Sequence, residues 1–172
     1  MPFTPYHMGP GILAKALLRG SFSLIVFGWT QIVMDVQPLI VEFTNEGRYH
    51  GFTHTYVGAT LLAVFSALTG KYLAELLVGV WPRADQKRIG ISWGVAFLSA
   101  FIGAYSHVLL DSFTAPDITP FAPFTNAGGL WGLLSVATLH TLCLYSALVG
   151  AVLYFAVSYL LSRRNKRIQR TA

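Results

Sequence analysis

Five histidines (His7, His50, His54, His107 and His140) and three aspartates (Asp35, Asp111 and Asp117) lie in or beside the apolar segments of this sequence. Imidazole and carboxylate together suit a divalent ion, zinc first, with manganese or iron also accommodated. His107 and Asp111 are four residues apart, which stacks both on one helix face where they can reach one ion. The bland alternative has Asp111 capping the helix or orienting His107 without metal. The convergence of further acids and imidazoles favours ligation, because intramembrane ionisable groups are costly and default to function. Taken singly, Asp35 is as readily a hydrogen-bonded packing residue, and His140 as readily a satisfied interfacial histidine. Asp117, within Thr114-Ala115-Pro116-Asp117-Ile118-Thr119-Pro120, reads first as a turn residue.

The elements that must position these groups are membrane spans. Of 172 residues, 54% are hydrophobic and only 11% charged, against about 25% charged in an ordinary soluble domain. Mean hydropathy is +0.56. Four segments are long enough to cross a hydrocarbon core: Ser21 to Val41, Tyr56 to Val80, Ile89 to Ser112 and Trp131 to Leu161. None alternates as a barrel strand does. A shorter apolar piece, Gly11 to Leu18, precedes a break at Arg19-Gly20-Ser21. The expected fold is therefore all-α: a polytopic helical membrane domain over residues 1–162, with four long transmembrane helices, a short N-terminal helix and a basic cytoplasmic tail over 163–172. The N-terminus has neither the basic n-region nor the cleavage pattern of a signal peptide, and no cleavage is expected.

The net charge of +5 does not indicate nucleic acid, because the basic residues sit at helix ends and not in a groove-sized patch. They set topology instead. The connection Arg83 to Arg88 carries three basic residues and the tail from Arg163 five, so both are expected in the cytoplasm. The connections Glu42 to Thr55 and Phe113 to Leu130 hold one between them and should face outward. Lys71 and Glu75 are expected to pair at i, i+4 within the second span. The single cysteine, Cys143, excludes an intrachain disulfide and argues against a thiolate zinc cage.

Depth brings the chemistry together. Counting about 20 residues from Ile89 brings the third span out near Val108, beside His107. The last span is about 46 Å long, so its outer turns, with His140, project beyond the hydrocarbon. Asp35 lies about 9 Å short of Val41, and His50 and His54 belong to an outward connection. His7 joins this stratum if Gly11 to Leu18 is a descending helix; with a cytoplasmic N-terminus it falls on the other side.

The segments Tyr49-His50-Gly51-Phe52-Thr53-His54-Thr55 and Ser106-His107-Val108-Leu109-Leu110-Asp111 resemble the bacterial membrane-bound metal-dependent hydrolase family that includes a LexA-regulated inner-membrane protein. The likeness runs from Asp35 to about Phe124 and implies functional roles for His54, His107 and Asp111. The family's first motif histidine aligns with Tyr49, so His50 is displaced by one position. A more distant likeness, one of order only, is to zinc-dependent phospholipase C, along His7, Asp35, His54, His107, Asp111, Asp117 and His140.

The resulting expectation is a membrane-embedded, outward-facing hydrolase of the bacterial inner membrane. Its metal ligands are drawn from His7, Asp35, His50, His54, His107, Asp111 and His140, and Asp111 or Asp117 takes a proton from water. A phosphoester or lipid-derived substrate follows from headgroup depth. Two other classes remain open: a haem-binding electron carrier using His54, His107 or His140 as axial ligands, and a non-catalytic membrane scaffold.

Overall fold

The computed structural model describes residues 5–80, 90–128 and 130–171, and the Arg83 to Arg88 connection lies outside them. Every regular element among the described residues is helical, as expected. The helices are α1 (Met8–Leu18), α2 (Leu24–Thr44), α3 (Tyr56–Gly79), α4 (Trp93–Thr114) and α5 (Val136–Thr171). Short 3₁₀ turns at Pro5–His7, Arg19–Ser21 and Phe52–His54 join or precede them. Helices α2 to α5 are each long and apolar enough to cross a membrane. With 11 residues, α1 reaches only about 16 Å, half a hydrocarbon core.

Hydropathy located the spans, while hydrogen-bonding side chains set their ends. Ser23 accepts from the Val26 N–H (3.3 Å) and Ser92 from the Val95 N–H (3.3 Å), so α2 and α4 start three or four residues later than expected. At its far end α2 runs on past Pro38 to Asn45, whose left-handed backbone (φ 56°) closes the helix. Pro10 lies in the first turn of α1, where its missing N–H costs nothing, so that helix begins at Met8 rather than Gly11. The start of α5 falls at Val136, where Ser135 accepts from the Thr138 N–H at 3.1 Å, after a turn in which Gly132 takes a positive φ of 83°. The basic segment expected to be a separate tail continues α5 to Thr171, since no Gly or Pro follows Gly150 and Arg, Lys and Gln are good helix formers.

Helices α2, α3 and α4 pack on one another, while α1 lies mainly along α5. The α3–α4 contact is built from small residues at one-turn spacing: Ala59, Ala63 and Ala67 on α3 and Ala96, Ala100 and Ala104 on α4 are all fully buried. Such faces let helix backbones approach closely where lipid offers no hydrophobic drive for association. Polar bonds add to them: Trp29 Nε1 donates to Thr69 Oγ1 (2.8 Å), and the Ser23 N–H to Ser99 Oγ (2.8 Å). Lys71 and Glu75 pair as expected, and Glu75 also accepts from the Ile91 N–H at 3.0 Å.

Alternation along the chain places the start of α1, the end of α2, the start of α3, the end of α4 and the start of α5 at one end of the bundle. The glycines of α1 and α5 fix that pair closely. A Cβ on Gly9 would collide with the Cys143 carbonyl, and one on Gly150 would lie 2.7 Å from the Leu13 backbone, whereas nothing lies within 4 Å at Gly20. Gly9→Val should therefore cost about 1–3 kcal/mol of unfolding free energy in detergent, as overpacking does. Gly20→Ala should be neutral within about 0.5 kcal/mol, and equal behaviour of the two variants would show that α1 does not rest on α5.

Candidate metal centre

At that common end the side chains of four segments converge. His7 comes from the turn before α1, Asp35 and Gln31 from α2, His54 from the turn before α3, and His107 and Asp111 from α4; His7, Asp35, His54, His107 and Asp111 are all buried. Asp111 stands at the middle. Its Oδ1 is 3.2 Å from His7 Nε2, and its Oδ2 is 3.2 Å from His107 Nε2 and 3.5 Å from His54 Nε2. Asp35 Oδ1 lies 3.4 Å from His107 Nε2. Two sets of three donors lie within 4.8 Å of one another, His7 with Asp35 and His107, and His50 with His54 and Asp111.

Hydrogen bonds on the far side of the rings decide which nitrogens face this centre. Gln31 Nε2 donates to the Gly103 carbonyl (3.0 Å), which leaves Gln31 Oε1 to accept from His107 Nδ1 at 2.8 Å. The Thr53 hydroxyl gives its proton to Gln37 Oε1, so it accepts from His54 Nδ1 at 2.9 Å. Both rings therefore carry hydrogen on Nδ1 and turn Nε2, with its lone pair, toward the carboxylates. Burial, aided by the neighbouring His107, pushes His54 down to about 4, so its ring is neutral near pH 7.

Neither His54 Nε2 nor His107 Nε2 makes a hydrogen bond, despite the nearby carboxylates. The atoms point at shared space and not along one another's bonds. Such an arrangement could hold an ion. Donors about 2.0–2.2 Å from a tetrahedral zinc lie about 3.3–3.6 Å apart along the tetrahedron's edges. The separations of 3.2–3.5 Å observed here match that edge. Among the described residues no Lys or Arg pairs with Asp35 or Asp111. The donor set thus fits a divalent cation with mixed nitrogen and oxygen ligands.

His7, Asp35, His50, His54, His107 and Asp111 are brought together, and His7 arrives by the descending-helix route. Two candidates lie elsewhere. His140 stacks on Tyr6, with ring centroids 4.1 Å apart and planes at 11°, and belongs to neither donor set. It lines a cavity of about 240 Å³ that His7, His50 and Asp111 also line. Asp117 is half-exposed and bonds His50 Nδ1 at 2.8 Å, the position of a carboxylate that orients a ligand. Sequence reasoning missed Gln31, Gln37 and Thr53. Gln31 could have been found, since it precedes Asp35 by one helical turn and so shares its face.

The sequence profile of a family described as YdjM inner membrane protein matches residues 17–169. No curated protein and no solved structure matches the chain.

Replacing Gln31 by Leu would strand a buried imidazole N–H. Gln31→Leu should cost about 1–3 kcal/mol, measured by denaturant unfolding in detergent micelles. A neutral result would mean that His107 is not held by this bond.

Proposed function

As a member of the YdjM inner membrane protein family, this chain is a multi-pass membrane protein, and we propose that its His/Asp cluster is the centre of a metal-dependent hydrolase. The observation that carries this reading is the pair of buried Nε2 lone pairs, on His54 and His107, aimed with two carboxylates at common space and bonded to nothing. In a low-dielectric interior such a set is costly unless a cation neutralises it. A helix-packing role, as in a scaffold, would instead be served by polar groups bonded to one another. Ring centroids only 4.6 Å (His7, His107) and 5.3 Å (His54, His107) apart leave no room for a macrocycle between two imidazoles, which weakens the haem alternative.

Zinc is the ion best suited to this donor set. When bound, it supplies Lewis acidity, lowering the pKa of water at the site and polarising a phosphoryl or acyl oxygen. The chain's own part is to hold the donors, exclude competing cations and accept a proton. Of the two carboxylates considered as base, Asp111 lines the cavity and Asp117 does not, so Asp111 is assigned that role, which requires that it hold the ion through one oxygen and keep the other free for the proton. The site lies at the end of the bundle, which supports a position at headgroup level, and a lipid-derived phosphoester is the substrate class such a depth would favour.

The C-terminus is taken as cytoplasmic and the cluster as outward-facing, an orientation that the basic end of α5 supports. In a Cys143→Ser background, a cysteine at Asn45 should react with an impermeant thiol reagent on intact cells, and one at Ser162 should not. Labelling at Ser162 alone would invert the topology.

Elemental analysis of the detergent-purified protein should find stoichiometric zinc, reduced at least about tenfold in affinity by His107→Ala and by Asp111→Ala. Unchanged zinc in both variants would remove the metal from this cluster and the hydrolase reading with it.

A further inference from the structure

The cavity beside the cluster is lined both by members of the donor set, His7, His50 and Asp111, and by Tyr6, His140 and the apolar Leu139. Tyr6 lies flat against His140 at 4.1 Å, which fixes the plane of the imidazole. Among the described residues no protein group bonds either ring nitrogen of His140, and it is not one of the grouped donors. A ring held in one plane, with both nitrogens uncommitted and lining the same cavity as the donor set, is placed to meet whatever occupies that cavity.

Hydrolysis of an ester by in-line displacement needs exchanges on both sides of the reacting atom. Water attacks from the side of the base, and the leaving oxygen departs on the opposite side carrying an electron pair. An alkoxide departs poorly unless a proton reaches it. We propose that His140, held by Tyr6, is the acid that protonates the leaving oxygen of a phosphodiester bound in this cavity. The inference rests on the hydrolase reading above and deepens it. In the step, the water oxygen forms a bond to phosphorus and its proton passes to Asp111. The bond from phosphorus to the leaving oxygen breaks, its electron pair stays on that oxygen, and the N–H proton of His140 goes to it. Return of the two residues to their starting states transfers one proton from Asp111 to solvent and one from solvent to His140. The wall also fits such a substrate in polarity, since Leu139 and Val136 offer the leaving alcohol an apolar surface.

This assignment separates His140 from the metal ligands, which makes it testable in two readouts. Full-length zinc-loaded protein in detergent is given two glycerophosphodiesters identical except for the leaving group, ethanol in one and p-nitrophenol in the other. The nitrophenolate leaves without a proton near neutral pH, so it depends less on an acid. His140→Gln should keep the parent's zinc content while lowering kcat on the ethyl ester by about 10²–10⁴, a loss at least about tenfold greater than on the nitrophenyl ester. Equal losses on both esters would overturn the assignment, as would no loss on either. Loss of zinc from His140→Gln would make the residue a ligand and also overturn it. If the parent protein binds zinc yet cleaves neither ester, phosphodiester hydrolysis itself fails, and the assignment fails with it before any variant is made.

Discussion

The structure depends on keeping two carboxylates and three imidazoles buried together at one end of an apolar bundle. Asp35 and Asp111 face the rings of His7, His54 and His107 within 3.2–3.5 Å, with no basic side chain paired to either acid among the described residues. Charge in such a place is expensive and persists only when matched. Much of the surrounding polar architecture serves that match. The amide of Gln31, pinned by the Gly103 carbonyl, holds His107, and the Gln37 and Thr53 pair holds His54. Each bond turns a lone pair inward. The cluster is the reason these glutamines and this threonine are buried or half-buried in a protein surrounded by lipid.

Packing makes the convergence possible. Alanine faces on α3 and α4 bring their backbones close, so that the turn carrying His54 lies against the end of α4. The Tyr56 N–H bonds the Pro120 carbonyl at 2.8 Å, tying the same corner to the loop beyond α4. On the other side, Gly9 and Gly150 let α1 lie against α5. The 3₁₀ turn in front of α1 then carries Tyr6 and His7 to the cavity from a helix too short to span a membrane alone.

Much of this was legible in the sequence, for identifiable reasons. Long apolar runs located the four spans, and counting rise per residue from basic boundaries put His107, Asp111, Asp35, His50 and His54 at one depth. The spacing of His107 and Asp111 survives unchanged because helical periodicity is local. What depth could not supply was azimuth. His140 sits at the right height but on α5, which rests on α1 and meets α4 only weakly, and so it turns toward Tyr6. Asp117 likewise reaches His50 and not the centre. Helix ends were misplaced where capping chemistry overrode hydropathy, as at Ser23, Ser92 and Ser135. The orienting amides carry no charge, and nothing in a single sequence distinguishes them from ordinary polar residues in a span.

The dependence of α1 on α5 has a consequence for how the protein is made. Helix α1 leaves the ribosome well before α5. Until α5 has been inserted, α1 lacks the surface it mainly packs against, and His7 has no fixed position. The helices α2 to α4 can associate earlier and bring Asp35, His54, His107 and Asp111 together. The donor set is then completed by a residue that precedes α1 and must wait for α5, made after all the other helices described. Synthesis interrupted before α5 would yield a bundle with most of its ligands and an unfinished centre, so maturation of the site reports that translation and insertion have passed through α5.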